Sequence, residues 1–183
     1  DMTVKSLTMK SGSAHLDLAE YNLNVLGDVV ITYGSLTVNK GALSCENFTF
    51  GSNSYIYMKD PNGVLDIKGN AVFTARQRST FSAGEIRIAG NATFNETYSD
   101  YLAFSGSNKV ILNGDKAQTI TFGTNKNMLN ILELANTSQD GVICDGAVMA
   151  RDFRINGSKF SNSITDGRSG WVLQGDQTIE DGN

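Results

Sequence analysis

The sequence predicts an all-β protein: a right-handed parallel β-helix, a three-sided solenoid of about eight to nine coils of roughly 21 residues each. The first observation behind this is a recurring phrase. Two apolar residues flank a polar one, and after a spacer come Gly or Asn and a small polar residue. It reads Leu23-Asn-Val25-Leu-Gly27-Asp28, Leu65-Asp-Ile67-Lys-Gly69-Asn70, Ile86-Arg-Ile88-Ala-Gly90-Asn91, Val110-Ile-Leu112-Asn-Gly114-Asp115, Leu132-Glu-Leu134-Ala-Asn136-Thr137, Phe153-Arg-Ile155-Asn-Gly157-Ser158 and Trp171-Val-Leu173-Gln-Gly175-Asp176, with Leu43-Ser-Cys45 on the beat between Leu23 and Leu65. The second is period-2 alternation in short runs such as Ala71-Val-Phe73 and Ala92-Thr-Phe94, each bounded by Gly, Asn or polar residues. The third is the abundance of Thr, Val, Ile, Phe and Tyr, which favours strands over helices.

Each slot of the phrase has a structural role. Stacked coils would pile Leu23, Leu43, Leu65, Ile86, Val110, Leu132, Phe153 and Trp171 into one inward column. Val25, Cys45, Ile67, Ile88, Leu112, Leu134, Ile155 and Leu173 would form its neighbour. Met2-Thr-Val4 lies 21 residues before Leu23 and is expected to begin a further coil. The Gly at the fifth position suits a corner with positive φ, which Asn136 also tolerates, and the small polar residue after it is expected to hydrogen-bond the turn backbone. The outward middle slot reads Asn24, Ser44, Asp66, Arg87, Ile111, Glu133, Arg154 and Val172, so that Asp66 and Arg87, and Glu133 and Arg154, become vertical neighbours of opposite charge.

The whole chain, 1–183, reads as one solenoid domain, with 1–18 an irregular N-terminal coil or cap and 174–183 a polar C-terminal end. Cys45 fills an apolar slot and Cys144 lies four to five repeats further on. Stacking at strand spacing separates them by on the order of 20 Å, too far for a disulfide, so two free thiols are expected.

Composition narrows function. A formal net charge of -4, with 15 Lys and Arg scattered singly, lacks the basic stripe that nucleic acid requires. No apolar run approaches the length of a membrane helix, so no membrane insertion is expected. His15 is the one histidine, which leaves no two-His metal site and reads as a surface or turn residue. GxGxxG, GxxxxGK[ST] and GxSxG do not occur. Asp60-Pro-Asn62-Gly63 carries oxygen donors but suits a tight turn. Five Asn-x-Ser/Thr triplets, at Asn47, Asn91, Asn95, Asn136 and Asn156, match the composition of turns. No catalytic residue, metal site or cofactor is therefore expected.

Aromatics mark the candidate surface. Tyr33, Tyr55, Tyr57, Tyr98 and Tyr101 fall about ten to fifteen residues after the start of their coils, and Arg76 and Arg78 occupy that stretch in the coil between. Stacked, these residues gather on one side, where Tyr and Arg can pack on sugar rings or anchor a protein. The structural alternative is that some rings point inward and the rest extend an aromatic ladder.

The runs Leu16-Asp-Leu-Ala-Glu-Tyr-Asn-Leu-Asn-Val-Leu-Gly-Asp, Gly34-Ser-Leu-Thr-Val-Asn-Lys-Gly-Ala-Leu and Lys109-Val-Ile-Leu-Asn-Gly-Asp-Lys-Ala-Gln-Thr-Ile-Thr-Phe resemble repetitive β-solenoid segments of large exported surface proteins of bacteria, Gram-positive ones above all. The resemblance spans nearly the whole chain. It implies a secreted or cell-surface location and an adhesin-like role, and supplies no catalytic motif. The expected function is a non-enzymatic extracellular structural and binding module, carbohydrate-binding or adhesive, whose partner is a polysaccharide or a host or cell-surface component. The alternative is a β-helix polysaccharide lyase or glycoside hydrolase, or a catalytically inactive relative. Unpaired strand edges at the solenoid ends add an end-to-end or edge dimer to the expectations.

Overall fold

In a computed structural model the chain is a parallel β-solenoid of about seven turns. The structure describes residues 1–96, 101–123, 128–162, 171–173 and 177–180. Strands of three to eleven residues stack in parallel, and none of the described residues is helical.

Face one carries the phrase. Its strands Met2–Val4, Asn22–Val25, Ala42–Cys45, Val64–Ile67, Glu85–Ile88, Lys109–Leu112, Leu129–Leu134 and Val148–Asn156 pair in that order. The register Met2↔Leu23, Leu23↔Leu43, Leu43↔Leu65, Leu65↔Ile86, Ile86↔Val110, Val110↔Leu132 and Leu132↔Phe153 builds the expected first column, and Met2 does open a coil. The second column runs through Cys45, Ile67, Ile88, Leu112, Leu134 and Ile155.

The last repeat departs from the expected register. Trp171 pairs with Val148 and Leu173 with Ala150, whereas Phe153 is followed by Gln177 and Ile155 by Ile179. Likewise Arg154 is followed by Thr178, and Val172 lies above Met149. Trp171–Leu173 continues the first part of strand Val148–Asn156 and Gln177–Glu180 its second. The phrase at Trp171 looks like another copy of the column but overlies Val148, five residues before the Phe153 slot. The column from Met2 to Phe153 thus spans seven turns, fewer than the eight to nine coils that the phrase count suggests.

Faces two and three share the second sheet. Strands Val29–Thr37 and Phe48–Met58 run through both. Face two adds Leu7–Met9, Ala71–Ala75, Ala92–Glu96, Gln118–Phe122, Val142–Asp145 and Phe160–Asn162, and face three adds His15–Asp17, Ser79–Phe81 and Leu102–Phe104. The interior is filled by phenylalanine. Phe73 and Phe94 stack with centroids 5.0 Å apart, Phe94 and Phe122 at 6.0 Å, and Phe81 and Phe104 at 4.5 Å, while Phe94 meets Phe104 edge-on at 5.9 Å.

The corner between faces one and two corrects the expectation about φ. Among the described residues, positive φ occurs at Ala19 and at Gly34, Gly84, Gly106, Gly141, Gly146 and Gly157, so of the described phrase glycines only Gly157 has it. Gly69, Gly90 and Gly114 are required by space instead. A Cβ on Gly114 would come within 2.2 Å of the Ala89 carbonyl oxygen, and one on Gly90 within 2.5 Å of the Gly69 backbone.

At Asp28, Asn70 and Asn91 the small polar side chain bonds the next coil rather than its own turn, whereas Ser158 Oγ donates to the adjacent Lys159 carbonyl as expected. Asn47 Nδ2 donates to Asp28 Oδ1, and the backbone amides of Asn70, Asn91 and Thr119 donate to the Oδ1 atoms of Asn47, Asn70 and Asn91, all at 2.8 Å. The next corner is plugged by Gln118. Its Oε1 accepts from the Gly114 amide and Asn136 Nδ2, and its Nε2 donates to the Ile88 and Gly90 carbonyls. Such a buried amide is stabilising only when its donors and acceptors are met, as they are here.

Both cysteines are buried free thiols, Cys45 on face one and Cys144 on face two. Burial, reinforced by Asp28, Asp66 and Glu46 for Cys45 and by Asp145 for Cys144, pushes each thiol up to about 12. Thiolate is the reactive form. The folded protein is therefore expected to leave a disulfide-exchange dye such as Ellman's reagent unreacted at mildly alkaline pH, and to release two equivalents of chromophore once unfolded in guanidinium. Rapid labelling of either thiol in the folded state would contradict the packing described here.

Candidate functional site

The outward side of face one is charged and internally compensated. Asp66 and Arg87 are vertical neighbours, as are Glu133 and Arg154. Their ion pairs follow a different pattern, because side chains two residues apart along a strand share a face. Lys68 bonds Asp66 at 2.5 Å, Arg87 bonds Glu85 at 2.5 Å and Arg154 bonds Asp152 at 2.6 Å. Lys109 then links coils, 3.8 Å from Glu85 and 3.2 Å from Glu133. Partly exposed pairs of this kind contribute about 0 to 1 kcal/mol each. Asp66, Glu85, Glu133 and Asp152 on this face thus each bond a cation.

Asp60-Pro-Asn62-Gly63 is a turn. Asp60 Oδ1 accepts from the Asn62 amide at 2.9 Å and from Asn62 Nδ2 at 3.1 Å, and the Gly63 amide donates to the Asp60 carbonyl. Among the five Asn-x-Ser/Thr triplets, Asn47 and Asn91 belong to the corner ladder and Asn136 is buried against Gln118.

Of the tyrosine and arginine set, Tyr55 and Tyr57 lie on a strand of face three. Strand Phe48–Met58 alternates Ser54, Ile56 and Met58 inward, all fully buried, with Tyr55 and Tyr57 outward and half-buried. The two rings lie nearly parallel, 11° between planes and 6.2 Å between centroids. Tyr55 Oη donates to Gln77 Oε1 at 3.0 Å, which ties that ring to the coil above. Lys59 Nζ stands 5.4 Å from the Tyr57 ring centroid. Such a cation–π contact contributes about 0.5 to 1 kcal/mol at an exposed site.

The coils below complete the surface. Ser35 pairs with Tyr55 and Thr37 with Tyr57, and beneath them lie His15 and Asp17. His15 Nδ1 is hydrogen-bonded to Ser35 Oγ, and Asn39 Nδ2 donates to Asp17 Oδ1 at 2.7 Å. A shallow cavity of about 300 Å³ opens here, lined by His15, Thr37, Asn39, Tyr57 and Lys59.

The remaining members of the set lie around this centre. Tyr33 is exposed at the corner of faces two and three, where the register shifts between Ile31 and Tyr33. Arg76 and Arg78 flank Gln77 in the coil above Tyr55, both exposed. Tyr101 precedes strand Leu102–Phe104 one coil higher, and packs partly against the core. Tyr98 lies outside the described residues. The inward aromatic ladder consists of Phe rather than Tyr, so Tyr55 and Tyr57 do not extend it. Lys59 and Gln77, which hold the two rings, carry no sequence signal. A Lys two residues beyond Tyr57 resembles any strand end until the fold shows that both share one face.

Fold and surface define a parallel β-solenoid whose third face presents a paired tyrosine platform. Comparison with protein-family models, with curated proteins and with solved structures returned no significant match.

Proposed function

We propose that the protein is a non-enzymatic module of a secreted or cell-surface bacterial protein, a rigid solenoid that holds a carbohydrate on face three. The observation that carries this reading is the Tyr55 and Tyr57 pair, outward, nearly parallel and fixed by Gln77 and Lys59. Paired rings on a strand are pre-organised by the sheet, and a rigid surface loses little entropy when a ligand is held. Around them Ser35, Thr37 and Asn39 supply hydroxyl and amide groups that match sugar hydroxyls. The pairing of face-one carboxylates with cations fits a structural role for that side.

Affinity electrophoresis in gels containing a panel of soluble polysaccharides tests this reading, with the same polymers sized after incubation. At least one polymer is expected to retard the wild type without being shortened, and Tyr55→Ala and Tyr57→Ala are expected to abolish the retardation. Shortened chains would overturn the non-enzymatic reading, and unretarded migration in every polymer would overturn carbohydrate binding.

A further inference from the structure

We propose that face three selects polysaccharides that carry carboxylate groups, with Tyr57 receiving a sugar ring and Lys59 its charge. This rests on the reading of face three as a carbohydrate surface, and adds the class of sugar.

Charge distribution carries the inference. The segments that build the face around the tyrosine pair, 15–17, 33–39, 53–60 and 76–80, contain Lys59, Arg76 and Arg78 against two carboxylates, Asp17 and Asp60, and Asp60 Oδ1 already accepts from the Asn62 amide and from Asn62 Nδ2. The chain as a whole has a formal net charge of -4. On face one each of Lys68, Arg87, Lys109 and Arg154 bonds an acid, whereas Lys59 makes no ion pair among the described residues. Asp17 is itself engaged, its Oδ1 accepting from Asn39 Nδ2 at 2.7 Å and from the Ala19 amide at 2.8 Å.

Lys59 marks the point of selection. Its ammonium group lines the cavity beside the Tyr57 ring and makes no ion pair among the described residues. An aromatic ring offers apolar surface to the C–H face of a pyranose. A carboxylate on that sugar would gain a charge-assisted hydrogen bond from Lys59, roughly twice the strength of a neutral one. A neutral sugar would receive only ordinary hydrogen bonds there. The cavity of about 300 Å³ lies at the small end of the range for ligand pockets, which suits one sugar of a longer chain. Arg76 and Arg78 in the coil above would meet carboxylates further along the polymer.

Isothermal titration with polygalacturonate and alginate, each beside its carboxyl-reduced form, and with a single-stranded oligothymidylate tests the proposal. The wild type is expected to bind a carboxylated polymer about tenfold or more tighter than its reduced form, a difference of about 1.4 kcal/mol. Lys59→Met is expected to remove that difference, Tyr57→Ala to weaken both forms, and Lys68→Met on face one to change neither. Melting of each variant near the wild-type temperature establishes that the fold is kept. Equal binding of the two forms, or a difference that survives Lys59→Met, would overturn the charge selection and leave a neutral carbohydrate surface standing. Oligothymidylate bound as tightly as the uronates would overturn it in favour of a general polyanion site. Binding of no polysaccharide would overturn both this proposal and the reading beneath it.

Discussion

Replacing Phe94 with alanine is expected to destabilise the protein by about 3 to 5 kcal/mol, a fall in melting temperature of roughly 6 to 20 °C for a chain of this size. Phe94 is fully buried and sits at the junction of both interior stacks. It lies face to face with Phe73 and Phe122 and edge-on to Phe104. Truncation removes its apolar burial and leaves a cavity between three rings. The neighbouring coils cannot collapse into that cavity, because their spacing is set by the backbone ladder. Phe94→Leu keeps most of the volume and is expected to cost well under half as much. Thermal unfolding followed by far-UV circular dichroism separates the two variants. A loss below about 1 kcal/mol for the alanine variant would show that the rings do not pack as described.

Gly90→Ala is expected to cost about 3 kcal/mol through the opposite fault, excess volume. A Cβ there would lie 2.5 Å from both the carbonyl carbon and the oxygen of Gly69 and 2.8 Å from the Asn70 nitrogen. All three are backbone atoms of the coil below, and none can turn aside as a side chain could. Coils would have to separate at a corner where the Gly90 amide donates to the Gly69 carbonyl and the Asn91 amide donates to Asn70 Oδ1. Gly12→Ala is the control, since a Cβ at that turn meets nothing within 4 Å. Its expected effect is within about 0.5 kcal/mol of zero. Urea denaturation of both variants measures the contrast, and equal midpoints would refute the close-approach explanation.

Face one was legible in the sequence because a period-2 phrase returning every 21 residues or so leaves few ways to stack, and Met2, Leu23, Leu43, Leu65, Ile86, Val110, Leu132 and Phe153 do stack. Trp171 misled because the phrase records composition and not position around the coil. Only the 18 residues from Phe153, against 24 to Gln177, hint that it falls short of the column. The corner glycines were placed correctly but for the wrong physical reason. Positive φ and want of space both select Gly, and a single sequence does not tell them apart. On face three, Tyr55 and Tyr57 were singled out by their distance from the start of their coil. Gln77 and Lys59 were not, since their contacts depend on how one coil overlies the next.

The corner ladder reaches beyond local stability. Asp28, Asn47, Asn70 and Asn91 each bond only the adjacent level, and each offers much the same groups upward as it receives from below. Levels joined in this way are interchangeable parts. Genetic loss or duplication of one coil would rejoin an Asn to an Asn, and the molecule would shorten or lengthen by one strand spacing, about 4.8 Å, with its seam intact. The polypeptide is in that sense a graduated ruler, whose length evolution can set in whole steps.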